Sequence, residues 1–153
     1  MPRYRKILVV LDLSADSDQV FRAARDLAGA SHAGASHAEG PHAAVVALHV
    51  VEFIPIEPMG ESVLPSMQIE VELVKRAREK LTELAARLGM TGATLRVEAG
   101  TIKSEILRIA EEEAADLIVV GSRERHGLAI LVNFTEDAVL HAAHCDVLAV
   151  RLR

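Results

Sequence analysis

The chain has 153 residues, a net charge of -5 and a single cysteine; half of it is hydrophobic, yet it holds no tryptophan, one tyrosine and three phenylalanines. This length suits one domain, and the acidic balance excludes the basic surface that non-specific nucleic-acid binding needs. No apolar run nears the roughly 18 residues of a membrane span, and the lone Cys145 excludes a disulfide framework within the chain, so a reducing cytoplasm is the expected setting.

The first element is the run Ile7–Leu11, which follows a basic start but stops at Asp12, too soon for the core of a secretory signal. Its residues are nearly all β-branched or leucine, the pattern of a strand buried on both faces. Ser14 and Asp16 then read as the start of a helix whose apolar stripe is Val20, Phe21, Ala24, Leu27 and Ala28. Gly29–Ala43 interrupts the scheme with a tandem copy, Gly29-Ala30-Ser31-His32-Ala33 then Gly34-Ala35-Ser36-His37-Ala38, and reads as a surface insertion. Ala44–Val51 is a second buried strand. Phe53–Met67 holds Pro55, Pro58 and Pro65 and is expected to be an irregular loop.

A longer helix carries Val74, Ala77, Leu81, Leu84, Ala85 and Leu88 and ends at Gly89, with Glu72–Arg76 and Glu83–Arg87 paired on its exposed side. A strand over Thr94–Glu98 follows, then a helix with Ile102, Ile106, Ile109 and Ala110 inward. A fourth strand covers Asp116–Val120. Thr135, Glu136 and Asp137 open a helix with Ala138, Val139 and Ala142 inward, and Asp146–Val150 closes the chain as a fifth strand. The alternation predicts an α/β domain over residues 1–153: a five-stranded parallel sheet, Rossmann-like, with helices on both faces.

Such sheets bind ligands at the carboxyl ends of their strands, here Leu11-Asp12-Leu13, Val51-Glu52, Glu98-Ala99-Gly100 and Val120-Gly121-Ser122. Asp12 reads as an acceptor for a ribose or base, or as a loop carboxylate or helix cap. Gly121 and Ser122 read as an anion site, or as a tight strand-to-loop turn. Arg123 and Arg125 flank Glu124, either neutralising it or standing in solvent. His32, His37 and His42 recur every five residues, but no cysteine or carboxylate pair completes a metal shell, so no metal site is expected. His141 and His144 suit a helix end, and Cys145 reads as a small buried hydrophobe. The chain holds no HExxH, CxxC, Walker or Gly-x-Ser-x-Gly pattern, and no catalytic residue is assigned.

From Val119-Val120-Gly121-Ser122-Arg123 outward, the chain resembles the universal stress protein family. Lys6-Ile7-Leu8-Val9-Val10-Leu11-Asp12 resembles its first strand and ligand-facing aspartate, and Leu48-His49-Val50-Val51 its second strand. Val97-Glu98-Ala99-Gly100, Ala115–Gly121 and His144–Val150 resemble the later strands. The resemblance implies the strand order 3-2-1-4-5, a homodimer and a regulatory, non-enzymatic role in stress responses. It places the self-contact on the last strand, at Val147, Leu148, Ala149 and Val150. Members that bind ATP carry Gly-x-x-Gly, then eight or nine residues, then Gly-Ser or Gly-Thr. Here Gly121 is followed by Glu124 where the second glycine falls, and by Asn133-Phe134 at the last pair. The chain is therefore placed with the branch lacking that motif, with no cofactor expected. If ATP or ADP binds, the resemblance assigns Asp12, Val51, Gly121, Ser122, Arg123 and Arg125 to contact it.

Overall fold

The computed structural model describes residues 3–29, 42–52, 63–123 and 135–152. Five runs rich in Val, Ile and Leu pair side by side because each is buried on two faces and satisfies its backbone only through neighbouring strands. These are β1 (Lys6–Val10), β2 (Ala44–Val51), β3 (Thr94–Ala99), β4 (Leu117–Arg123) and β5 (Asp146–Leu152). All pairs are parallel and the order is β3-β2-β1-β4-β5, as the resemblance implied. The helices are α1 (Ser17–Leu27), α2 (Val63–Arg87), α3 (Ile102–Glu112) and α4 (Thr135–Ala142).

Two apolar layers hold the sheet. Ile7, Val9, Leu11, Val45, Ala47, Val97, Leu117 and Val119 meet Val20, Phe21 and Ala24 of α1 and Leu81, Leu84 and Ala85 of α2. On the opposite face, Leu8, Val46, Leu48, Val50, Ile118 and Val120 meet Ile106 and Ile109 of α3 and Val139 of α4. The stripes read from the sequence thus mostly form the buried faces of the helices, but Leu27, placed in the α1 stripe, is exposed at the helix end. Gly89 ends α2 as expected: its φ of 69° is left-handed, and Met90 N–H reaches back to Ala85 O at 2.7 Å.

Several strand ends shift by one to three residues from the sequence reading, and three boundary differences carry a structural reason. α2 begins at Val63, inside the expected loop, because Pro65 falls in its first turn, where no intrahelical N–H is required; residues 53–62 lie outside the described residues. α1 begins at Ser17, later than the Ser14 signal suggests. β4 runs three residues past Val120, because β5 extends to Leu152 and pairs with Gly121, Ser122 and Arg123. The excursion from α1 to β2 is pinned at its base, with Ala43 N–H on Ala28 O at 3.1 Å; residues 30–41, including His32 and His37, lie outside the described residues.

β3 is an outer strand, and its α3-facing side is ionic where the inner strands are apolar. Arg96 bonds Glu98 (2.8 Å), Glu112 (3.1 Å) and Glu113 (3.0 Å), while Arg108 of α3 bonds Glu98, Glu105 and Glu112. Lys6 of β1 completes the network at Glu113, at 3.3 Å. The Arg96 guanidinium, and secondarily Lys6, hold the Glu113 carboxyl below the ordinary value of 4.5 against an opposing effect of burial. Asp116 is also held low: burial alone would raise it, but the Arg5 and Lys6 backbone N–H donors together outweigh that effect. A carboxylate held low in the folded state stabilises the fold above its unfolded value and ceases to do so as pH falls through the folded one. Thermal melts should therefore lose stability as pH drops below 4.5, and Glu113→Gln should be less stable at neutral pH and show a flatter acid limb. An acid limb identical to that of the wild type would remove Glu113 from the account.

Candidate functional site

The carboxyl ends of β1, β2 and β4 lie side by side, since β1 pairs with both neighbours. Asp12 follows β1 at this edge and is exposed. Its Oδ1 accepts hydrogen bonds from the Ser14 N–H at 2.9 Å and the Ser17 hydroxyl at 3.0 Å. These bonds explain the late start of α1. The Asp12 and Ser14 side chains take local donors in a turn that precedes the helix, with Ser14 Oγ accepting from the Asp16 N–H at 3.4 Å.

Leu13 within this turn has φ 60°, a left-handed backbone that non-glycine residues seldom adopt. It persists because Leu11, 2% exposed, and Leu13 itself both pack into the α1–α2 layer. Ser17 is also 2% exposed and is the buried polar residue among those described. Behind the turn, His49 Nδ1 lies 2.7 Å from Leu11 O. Sequence reasoning gave no role to Ser17, Leu13 or His49. A histidine inside an otherwise apolar strand was the one available signal.

The other assigned residues fall as follows. Val51 is buried at the end of β2, level with Ala99 of β3, and its carbonyl accepts the Gly100 N–H at 3.0 Å. Gly121, Ser122 and Arg123 are not a strand-to-loop turn. They stay in the ladder, opposite Val150, Arg151 and Leu152. A Cβ on Gly121 would stand 3.0 Å from Leu152 Cδ1 and 3.1 Å from Val20 Cγ2. Its lack of a side chain lets α1 and β5 close over β4. Arg125, Glu124, Asn133 and Phe134 lie outside the described residues.

The remaining candidates are spread through the fold. Among the described residues, no group of three His, Cys, Asp or Glu side chains is placed to hold a metal. His42 and His141 are exposed, and His144 lies 3.5 Å from Glu111 at the surface. Cys145 is half-buried against the α3–α4 layer. Burial first, then the Asp146 and Asp116 carboxylates, push its thiol up and away from nucleophilic use. A cleft of about 400 Å³ runs between α1 and α2 beside Leu13 and Ser14, lined also by Asp18, Lys80 and Arg87; Asp18 and Arg87 neutralise each other there.

Residues 3–151 match the profile of the Universal stress protein family. The chain belongs to that family. "Universal stress protein A homolog 2" of Coxiella burnetii is 34% identical over 154 residues, covering 100% of this chain and 99% of that relative. The solved structure of universal stress protein UspA from Lactobacillus plantarum superposes with a TM-score of 0.65 at 22% identity, over 97% of this chain and 99% of the other. A universal stress protein solved in complex with cAMP superposes at 0.67 with 20% identity, over 96% and 97%. At these identities the structures bear on fold alone, and they agree with the five-stranded parallel order described above.

The packing at Gly121 is directly testable. Gly121→Val drives two methyl groups into Val20 and Leu152, so it should cost about 1–3 kcal/mol and lower the melting temperature. An unchanged melt would show that α1 and β5 do not close on this position as described.

Proposed function

We propose that the chain is a cytoplasmic regulatory protein that works as a homodimer joined along β5, and that it acts by contact rather than by turnover. The observation that carries the dimer is the state of β5. It is the last strand of the sheet, and it leaves Leu148 38% exposed and Ala149 exposed beside it. An exposed apolar edge is a template for strand pairing, and two-fold association covers it at least cost. Val147 and Val150 pack against the two apolar layers, so they support the fold as well as the edge. Leu148→Lys is therefore the sharper probe. It should weaken association at least about tenfold while moving the melting temperature of the protomer little. A wild-type chain that stays monomeric in light scattering at about 50 μM would overturn the dimer.

A regulatory rather than catalytic role is supported by what surrounds Asp12: the carboxylate is held by a backbone N–H and a serine hydroxyl, an arrangement suited to presenting an acceptor. No cofactor belongs to this reading. A second reading has the same edge hold ATP or ADP, with Asp12 taking ribose or base donors. It is favoured by that fixed carboxylate and by the neighbour solved with cAMP. Against tight binding stand Glu124, Asn133 and Phe134, which occupy positions where ATP-binding relatives carry glycine or a hydroxyl. Glu124 opposes phosphate charge, and Asn133 and Phe134 add side chains where backbone must approach. Calorimetry with ATP should give a dissociation constant of about 1 mM or weaker, and the triple change Glu124→Gly, Asn133→Gly, Phe134→Ser should tighten it. Micromolar binding by the unaltered chain would replace the leading reading with the second, and steady ATP hydrolysis by a metal-supplemented, contaminant-free preparation would make it an enzyme.

A further inference from the structure

His49 is the polar residue of a strand whose other seven members are Ala, Val and Leu, and it is only half-buried where most of them are buried. Its neighbours explain why it stands there. Leu11 lies just past β1; its N–H still reaches Leu48 O at 2.9 Å, and its carbonyl lies 2.7 Å from His49 Nδ1. A carbonyl oxygen only accepts, so Nδ1 must carry the hydrogen; the opposite neutral tautomer would set lone pair against lone pair. The next residue is Asp12. From there the chain turns through the left-handed Leu13, and Asp12 is fixed from the other side by Ser14 and the buried Ser17. A strained non-glycine backbone at a strand end persists only when its surroundings over-determine it, and His49 supplies the contact from β2.

We infer that His49 is a positioning residue: through Nδ1–H···O=C of Leu11 it fixes the Asp12–Ser14 turn, and so the direction in which the Asp12 carboxylate faces hydroxyl or amine donors at the carboxyl edge. The bond holds in both the neutral Nδ1–H form and the cation, since Nδ1 is protonated in each. The consequence for a ligand rests on the second reading above, but the inference is tested without one, so neither failure carries the other.

The first measurement needs no variant. Nitrogen-15 spectra of the imidazole in the full-length protein should show His49 with Nδ1 protonated, and a neutral ring bearing its hydrogen on Nε2 would overturn the inference. The second is residue-resolved amide exchange. His49→Phe keeps a planar ring and removes the donor, and should speed exchange at the Ser14 amide by about tenfold, leaving Val97 and Ile109 unchanged. His49→Asn places a side-chain N–H near the position of Nδ1 and should restore Ser14 protection to within about twofold of wild type. Equal loss in both variants, or a loss spread over the whole sheet, would reduce His49 to packing, and no change in either would remove it from the turn.

Discussion

Everything in this fold hangs on the burial of β1 from both sides. Ile7, Leu8 and Val9 are fully shielded, Ile7 and Val9 under α1 and α2 and Leu8 under α3 and α4. A strand in that position has no solvent for its backbone, so it must be flanked by β2 and β4 and covered by helices on each face. Parallel pairing then forces every connection to cross over the sheet and return. Strand ends are the one place where the central chain meets water. Asp12 stands at such an end, and its chemistry follows from where β1 has to stop.

The two outer strands are held to the rest of the fold by different means. β3 carries Arg96 and Glu98 on its α3 side and is tied by ions to β1 and α3. With both Arg96 and Glu113 only 20% exposed, these pairs are shielded enough to orient α3 while their charges stay compensated. β5 is held mainly near its two ends. Arg3 and Tyr4 hold Asp146 at its start, and Gln19 reaches the Arg151 carbonyl near its end at 2.9 Å, while Leu148 and Ala149 between them remain open. The asymmetry leaves β3 tied by charge to α3, and β5 with Leu148 and Ala149 exposed.

The carboxyl edge shows how little freedom an exposed acidic side chain can have. Ser17 spends a buried hydroxyl on Asp12, and Leu13 accepts an unfavourable backbone angle for the same turn. Gly121, one strand away, contributes in another manner. It is extended and paired, and its value lies in the space that Val20 and Leu152 fill. A glycine read in the sequence only for its place near a phosphate loop also has a packing role in three dimensions.

Much of this is legible in the amino-acid sequence. Hydrophobic runs and stripes are local properties, so the five strands, the four helices and the end of α2 at Gly89 could be read from period and turn chemistry, and the family from the ordered set of motifs. The ranges Ala44–Val51 and Thr94 onward needed no correction at their starts. What the sequence by itself could not decide was set by contacts between residues far apart in the chain. β4 continues through Gly121–Arg123 because β5, two dozen residues later, is long enough to pair with it. Helix α1 starts at Ser17 because Asp12 and Ser14 consume the earlier donors. The Arg96 network joins three elements, and His49 meets Leu11 across 38 residues. Periodicity reports which face of an element is buried, whereas the partner that a polar side chain finds there is fixed only when the elements dock.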